Sequence, residues 1–550
     1  MEVKEIRQYT REEFLTGEAP YRFAYQFEED KFAQEQVLNV LSEQALTLKV
    51  RNFKKMFLNY RRKQADIARE ILSDSVTDFE GQELELDAGQ WRCTEAGVWR
   101  MGRYGAPEFA CCHPIMPVRR LVNVDTGQEK LQIAFRKGRQ WRKIIVEREI
   151  LSSANKIVSL SNNGIAVNSE NARLMVQYLH DIESQNYDLI PEIRCVGRMG
   201  YIQEEGFSPY VDGLTFDGEA NYKTLFDAVH PAGNREEWIA LARKVRKGGI
   251  AGRMALAAAF ASPLVSVVNG LPFFLHIWGG ESGSGKTVAL MLAASVWANP
   301  DPAGGYIQTF NSTNVGRERL AAVLNHLPVI VDELQLSNNK NDKSASDIYA
   351  LAEGIGRTRG NKNGGLDATP TWKNVIVTSG ETPITAMGAG AGARNRVLEL
   401  EIQPGEKAVE DGPGTAGILK RNYGWAGKEF VASLYCNGNE AAARILQQKY
   451  FLQLSAMDTT EKQALSASIL LTADAMATAW IFDDGRSLCP EEVAEVLKSK
   501  ASVSMGVRGY QFLCGWVAQN SNKFRKGTET GDVYGVIESD YISSAEYAYI

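Results

Sequence analysis

The feature that most constrains this chain is the stretch Gly280-Glu281-Ser282-Gly283-Ser284-Gly285-Lys286-Thr287, which fits the pattern G-x-x-x-x-G-K-[ST]. The apolar run 273–278 before it predicts a short buried strand, and the Ala- and Leu-rich run 288–297 after it predicts a helix. Glycines in that position let backbone N–H groups point at phosphate oxygens, and the helix amino terminus adds positive potential. The motif therefore predicts a phosphate-binding loop, with Lys286 on the β- and γ-phosphates and Thr287 on Mg²⁺. The alternative is a surface turn rich in glycine and serine.

A second motif, residues 327–333, is an apolar run that ends in two carboxylates, Asp332 and Glu333. Such a run predicts a buried parallel strand, and open α/β sheets bind ligands at the carboxyl ends of their strands. We expect Asp332 to bind Mg²⁺, directly or through water, and Glu333 to orient and deprotonate an attacking water. An isolated Asp-Glu pair is more often a solvated strand end, but its place after the phosphate loop favours the functional interpretation.

The composition is typical of a soluble globular protein, with 44% hydrophobic and 23% charged residues. The net charge of −6 neither indicates nor excludes nucleic-acid binding, because local patches decide that. The seven cysteines show no C-x-x-C spacing, which favours free thiols in a reducing cytoplasm over a zinc ribbon or a disulfide scaffold. The uncharged stretch 254–278 is broken by Pro263, Asn269-Gly270 and Pro272, so it predicts a core helix, a turn and a core strand rather than a membrane span.

Changes in pattern predict four domains. Residues 1–75 are helical and charged, and 76–222 alternate as short strands with turns. In 223–404 strands and helices alternate, which predicts an α/β fold with a parallel sheet wrapped by helices. This is the P-loop core, whose AAA+ type is indicated by the order of its polar residues. Residues 405–550 are mainly helical. A basic cluster at 51–55 and 61–63 either touches nucleic acid or forms a solvated helix face, the more common case.

The order of the polar residues narrows the class of nucleotide triphosphatase. Lys286, Asp332, Ser379 and Arg396 follow one another as loop, acid, polar strand end and arginine, the parts that an AAA+-type machine needs. Ser379 would position water near the γ-phosphate, and an arginine from a neighbouring subunit would stabilise the transition state. Arg396 is the preferred candidate for that arginine and Arg394 the next; the alternative is an ordinary pair of surface arginines.

An insert between the acids and the polar strand places glycines around basic residues, over 354–365. This composition suggests a mobile hairpin, and in a ring that position faces the central pore. Arg357, Arg359 and Lys362 would there hold the phosphates of a threaded strand. A solvated glycine-rich loop explains the composition equally well.

Four segments together resemble a known family: 274–287, 329–334, 354–357 and 393–397. They are similar to a phage- and plasmid-borne ATPase family, long described as a domain of unknown function. That family includes helicases of resistance-cassette elements, which resemble minichromosome-maintenance helicases. The resemblance extends over about residues 80–520 and leaves residues 1–75 outside. Relatives usually continue into a winged-helix-like carboxyl terminus, which this chain would carry only in part.

The resemblance implies a hexameric AAA+ ring that unwinds or translocates on single-stranded or forked DNA, often encoded beside a primase. With the motifs, it predicts an ATP- and Mg²⁺-dependent DNA helicase or translocase of a mobile element, cytoplasmic and not bound to a membrane. One alternative is a nucleotide-gated assembly protein, an initiator or helicase loader that does not unwind. Another is an ATPase acting on proteins, against which the aromatic-free insert counts.

Overall fold

Two units make up the chain, Met1–Cys195 and Val196–Ile550. The structure is a computed structural model, and it describes residues 6–28, 30–71, 75–82, 84–102, 105–309, 313–332, 348, 350–360, 366, 368–385, 394–499, 505–525, 533–539 and 546–549.

Among its described residues, the first unit begins with four helices, and local capping fixes the start of two of them. Thr10 and Glu13 form a capping box at the first helix, and the Asp30 side chain accepts hydrogen bonds from the first turn of the third. The apolar faces of these helices meet in a small core that contains Phe14, Leu41 and Phe53. The helices are α1 (Arg11–Leu15), α2 (Ala19–Tyr25), α3 (Lys31–Thr47) and α4 (Phe53–Ile71).

The rest of the first unit is built on antiparallel strands around a second core. Strands β3, β4 and β5 form one sheet, while β6, β7 and β8 pair antiparallel and β9 joins β6 in parallel. Helix α7 contributes Tyr178 to the core, where its ring meets Trp91 edge-on. The elements are β1 (Ser75–Val76), β2 (Asp87–Gly89), β3 (Trp91–Thr94), β4 (Gly97–Met101), β5 (Pro107–Cys111), β6 (Ile115–Asn123), β7 (Glu129–Lys137), β8 (Gln140–Glu147), α5 (Arg148–Leu151), α6 (Ala154–Ile157), α7 (Ala172–Gln185) and β9 (Glu192–Val196).

A parallel sheet forms the centre of the second unit. Its strands read as nearly continuous apolar runs because both faces are covered. They lie side by side in the order β14–β15–β16–β13–β17, so the first strand of the sheet along the chain sits between the fourth and the fifth. The strands are β13 (Phe273–Trp278), β14 (Gln308–Thr309), β15 (Val329–Asp332), β16 (Val375–Gly380) and β17 (Val397–Glu401).

Helices precede, cover and follow this sheet. Ahead of it come β10 (Gly200–Ile202), β11 (Gly206–Ser208), β12 (Thr215–Phe216), α8 (Lys223–Ala228), α9 (Arg235–Val245) and α10 (Ile250–Val267). Within it lie α11 (Lys286–Ser295) and α12 (Asn314–Leu324). After it come α13 (Gly412–Leu419), α14 (Trp425–Leu434), α15 (Asn439–Ser455), α16 (Glu461–Ala477), α17 (Pro490–Ala494), α18 (Met505–Gln519), β18 (Phe524–Arg525), β19 (Gly535–Ser539) and β20 (Glu546–Tyr549).

In the part of the chain that the structure describes, two helical stretches are long and apolar enough to cross a membrane by length and composition alone, Ile250–Val267 and Glu461–Phe482. Of their apolar windows, 83% and 78% are buried inside the protein, as expected of core helices. The predicted mixed α/β class with a parallel sheet is confirmed.

Candidate functional site

The predicted phosphate loop lies at the carboxyl edge of the parallel sheet, between the end of β13 and the first residue of α11. Gly283 and Gly285 have φ values of 77° and 82°, which glycine adopts without the strain that a side chain brings. A Cβ at Gly285 would also lie 3.1 Å from the backbone N and O of Val409, which is tight for a side-chain carbon. The local backbone and the neighbouring segment therefore both require glycine here.

The ammonium of Lys286 folds back over this loop. Its Nζ donates to the carbonyl oxygens of Gly279 at 2.7 Å and Glu281 at 2.9 Å, and to Ser284 Oγ at 3.2 Å. All three partners are neutral oxygens. They orient the ammonium group, but none of them carries a negative charge that would neutralise it. A charged oxygen ligand would compete well for the same donors, because hydrogen bonds between ionised groups are the stronger ones.

A carboxylate meets two hydroxyls next to the loop. Ser379, near the end of β16, donates from Oγ to Asp332 Oδ1 at 2.5 Å. Thr287 Oγ1 lies 3.5 Å from the same carboxylate oxygen. The structure therefore brings together three predicted residues from the loop and from the ends of two strands.

These groups line one cavity of about 460 Å³. Its walls also include residues that the sequence did not single out, and its lining is Ser282, Gly283, Ser284, Gly285, Lys286, Thr287, Val288, Asp332, Ser379, Gly380, Glu381, Gly412, Pro413 and Ala416. Gly280 belongs to the same loop, where a Cβ would meet nothing within 4 Å.

The segment 405–413 closes over the loop from a distant part of the chain. Gly405 N donates to the Glu281 carboxylate at 3.1 Å, and Ala408 N donates to the Ser284 carbonyl at 2.8 Å. Asp411 caps α13, and Pro413 lies in the first turn of that helix. An Asp cap followed by Pro in the first turn is a pattern that predicts the start of a helix. The sequence does not show, however, that this helix borders the cavity.

A buried histidine supports the sheet beneath the cavity. His276 of β13 is fully buried, and its Nε2 lies 2.9 Å from the Thr382 carbonyl, which can only accept. Nε2 therefore carries the proton, and Nδ1 accepts from the Thr378 hydroxyl at 2.8 Å. Burial lowers the pKa of His276 to about 4, so the ring is neutral near pH 7.

The predicted arginines Arg394 and Arg396 lie at the opposite edge of the sheet. The Arg396 carbonyl accepts from Phe274 N at the start of β13, and the Arg394 carbonyl accepts from Gln463. Since β13 and β17 run in parallel, this is the amino-terminal edge. Within one chain, the structure does not bring these arginines together with Lys286 and Asp332.

The basic insert also starts at the amino-terminal edge. Ile355 and Gly360 form antiparallel bridges with Thr371 and Leu366, which gives the base of a hairpin. Arg359 pairs with the buried carboxylate of Glu318 on α12 at 2.6 Å, whereas the side chain of Arg357 is exposed. Arg359 thus anchors the hairpin base to α12, whereas Arg357 faces solvent.

Two predicted site residues, Glu333 and Lys362, lie outside the residues that the structure describes. Over the described ranges, no three His, Cys, Asp or Glu side chains gather as a metal site. A Mg²⁺ ion in the cavity would therefore depend on Asp332, Thr287 and oxygens of its ligand, in keeping with the few protein ligands that Mg²⁺ usually takes.

Comparisons with known proteins agree on family and fold. A family model described as "Domain of unknown function (DUF927)" matches residues 91–371, just over half of the chain. The solved structure titled "SCCmec type IV Cch - active helicase" is similar in fold, with a TM-score of 0.57 and 19% identity. That match covers 82% of this chain and 86% of the other. The resemblance inferred from the four motif segments is thereby confirmed.

A second solved structure is titled "The A form apo structure of NrS-1 C terminal region-CTR". Its match has a TM-score of 0.25 and 10% identity, and covers 78% of this chain and 95% of the other. No curated protein matches the sequence.

The buried His276 predicts a pH dependence of stability. The pKa is about 4 in the folded chain and 6.5 in the unfolded one, so protons bind the unfolded state first as the pH falls. The contribution is complete above pH 6.5 and is lost between 6.5 and 4, amounting to up to about 3 kcal/mol. We expect the urea midpoint of His276→Gln to fall less than that of the unchanged protein between pH 7 and pH 4.

The control is His230→Gln, which alters an exposed histidine of the same unit. Equal acid sensitivity of His276→Gln and the unchanged protein would contradict a neutral, buried His276.

Proposed function

Since this chain belongs to the DUF927 family, we propose that it is an ATP- and Mg²⁺-dependent DNA helicase or translocase of a phage or other mobile element. The observation that carries the proposal is the convergence of Lys286, Thr287, Asp332 and Ser379 on one cavity at the carboxyl edge of a parallel sheet. Nucleoside triphosphate hydrolysis needs groups of these kinds at one site: a lysine for the phosphates, a hydroxyl and a carboxylate for the metal, and a polar side chain near the γ-phosphate.

The donor set fits ATP and Mg²⁺. The loop Gly280–Thr287 presents backbone N–H groups, and Lys286 would exchange its neutral oxygen partners for β- and γ-phosphate oxygens. Thr287 and Asp332 would hold the metal, which neutralises developing charge on the phosphates. Ser379, placed against Asp332, would sense the γ-phosphate, and Glu333 would orient and deprotonate the attacking water.

An AAA+-type core fits the order of the strands. The polar end of β16 lies between the strand that leads into the loop and the strand that ends in Asp332. This strand order places the Ser379 hydroxyl between the loop that would hold the phosphates and the carboxylate that would hold the metal. Ser379 and Thr287 both lie within hydrogen-bonding distance of Asp332 Oδ1, so this carboxylate links the two hydroxyls.

Action on DNA is supported by the fold and by the exposed side chain of Arg357 in the basic insert. The similar solved structure is titled an active helicase, and this chain shares its fold over most of its length. Arg357 and Lys362 would contact the phosphates of a strand in a ring pore, while Arg359 fixes the hairpin through Glu318. An element-encoded primase would be a natural partner for such an enzyme.

A ring with shared sites fits the position of the arginines. Arg394 and Arg396 start at the edge of the sheet remote from the chain's own cavity. In a homo-hexamer, Arg396 would reach the cavity of the neighbouring copy and stabilise charge there, with Arg394 as the second candidate. The four predicted domains would then divide into accessory parts and a ring-forming ATPase core.

The first prediction of this proposal concerns ATP hydrolysis. Lys286→Ala should lower kcat at least about a hundredfold, because it removes a positive charge from the phosphates. Glu333→Gln should do the same while ATP still binds. The matched control is Lys428→Ala, an exposed lysine of α14. Activity of Glu333→Gln equal to that of the unchanged protein would reject the assignment of Glu333 as the base.

The second prediction tests shared sites. Lys286→Ala and Arg396→Ala subunits should each be inactive, yet a mixture should regain activity. Random assembly gives about a quarter of the interfaces an intact loop facing an intact arginine. If Arg396 rather than Arg394 is the acting arginine, Arg394→Ala subunits should be active alone, and mixing them with Lys286→Ala subunits should leave about half of the interfaces active. A mixture as inactive as its parts would contradict sites formed between subunits.

The third prediction separates a translocating enzyme from an assembly protein. Single-stranded DNA should stimulate hydrolysis and forked DNA should be unwound, and Arg357→Ala should lose both while its basal hydrolysis remains measurable. Arg357 is preferred over Arg359 for this test, because removing Arg359 would leave the buried Glu318 carboxylate uncompensated. DNA binding and ring formation that depend on ATP, without strand separation, would favour an initiator or helicase loader.

A further inference from the structure

Helix α4 of the first unit has one face that the proposed ATPase does not use. The stretch 51–63 holds six Lys or Arg residues and no Asp or Glu, in a chain whose net charge is −6. The structure orders this stretch as the start of a helix of 19 residues, so the charges take fixed positions on its surface.

The two faces of α4 differ sharply. Phe53, Phe57 and Tyr60 are only 2%, 4% and 7% exposed, and they belong to the core of the four-helix segment. The opposite positions are exposed, and they are Arg51, Asn52, Lys54, Lys55, Leu58, Asn59, Arg62 and Lys63. We call Lys54, Lys55, Leu58, Asn59 and Arg62 the basic face.

Not all of the positive charge serves the fold. Arg61 pairs with Glu28 at 2.9 Å and Lys63 with Glu18 at 2.6 Å, which fastens α4 to the segment around α2. Lys54 and Lys55 lie in the first turn of α4, which carries no acidic residue. Positive charge at a helix amino terminus opposes the helix dipole, so these two lysines do not stabilise the helix.

We propose that the basic face of α4 binds duplex DNA, lying in the major groove. A helix is about 10–12 Å across and the groove about 12 Å wide. Lys54 and Arg62 are about 12 Å apart along the helix axis, so their charges can meet phosphates at two separate positions along the groove. Asn59 lies between them, and its amide can pair with base edges.

Two other partners fit the face less well. A basic amphipathic helix that binds a membrane must bury its apolar side in lipid, but here that side is already occupied by the core. A groove that takes up an amphipathic helix needs the same apolar side. Only the charged side is available, and it complements a polyanion.

The proposal is independent of the proposed ATPase, because it concerns a different unit and needs no nucleotide. The experiment is equilibrium binding of the full chain to a 30-base-pair duplex, without ATP, over a range of salt concentrations. The test variant combines Lys54→Ala, Lys55→Ala and Arg62→Ala. Alanine favours helix at all three exposed positions, so the fold should be kept; circular dichroism and the thermal midpoint check this.

The control variant removes the same charge elsewhere in the first unit, with Arg11→Ala, Lys31→Ala and Arg173→Ala, all exposed. Loss of three phosphate contacts should flatten the slope of log K against log salt by about 2.7 and weaken binding on the order of a hundredfold at about 0.1 M salt. The control should leave the slope unchanged.

Equal slopes for the test variant and the control would overturn the proposal. It would also be overturned if the test variant lost affinity only for a single strand of equal length, or only for vesicles containing anionic lipid. Failure of ATP hydrolysis in the Lys286→Ala protein has no bearing on this result, so the two proposals stand or fall separately.

Discussion

Parallel pairing of β13 with two strands that follow about a hundred residues later is the constraint on which the site depends. It brings the loop after β13, the carboxylate at the end of β15 and the hydroxyl near the end of β16 to one edge. A slip of one residue would turn each side chain to the other face of the sheet. In strands of Val, Ile and Leu, many registers would bury apolar surface almost equally well. His276 removes that ambiguity, because only the observed register places it opposite Thr378 and Glu399. A buried polar side chain without its partners is costly, and here the hydrogen bonds from Thr378 and to Thr382 satisfy it.

The sequence predicts those parts of the site that depend on short, continuous stretches of the chain. A strand, a glycine-rich turn and a helix follow one another without a long-range contact, so Lys286 and Thr287 could be placed from the pattern alone. Asp332 and Ser379 could be placed because buried strands end where polar residues begin. The contacts that need distant segments could not be predicted, since no local pattern encodes them. Glu281 with Gly405 and Glu318 with Arg359 are examples, each joining residues tens of positions apart or more.

The length of the strands keeps the two edges of the sheet apart, and this limits which of the predicted groups can act together within one chain. Lys286, Asp332 and Ser379 occupy the carboxyl edge, whereas Arg394, Arg396 and the hairpin base occupy the amino-terminal edge. A strand of five or six residues holds these edges roughly 16–20 Å apart, beyond the reach of one arginine side chain. The role proposed for Arg396 in hydrolysis therefore requires a second copy of the chain. Sequence order shows that Arg394 and Arg396 come just before β17, but it does not show that β17 pairs in parallel with β13, and this pairing puts the two arginines at the edge opposite Lys286.

Net charge is a poor guide to the surface of this protein, and α4 illustrates why. The sequence alone leaves its basic stretch open to two interpretations, a contact with nucleic acid or a solvated helix face. Burial excludes lipid as a further partner, because Phe53, Phe57 and Tyr60 belong to the core and the helix has no apolar side left to insert into lipid. The ion pairs of Arg61 and Lys63 then account for part of the charge by local structure. The remaining charges are those of Lys54, Lys55 and Arg62. Those two ion pairs do not neutralise them, and the fold does not need them. A polyanion bound at this face would offset the unfavourable interaction of Lys54 and Lys55 with the helix dipole.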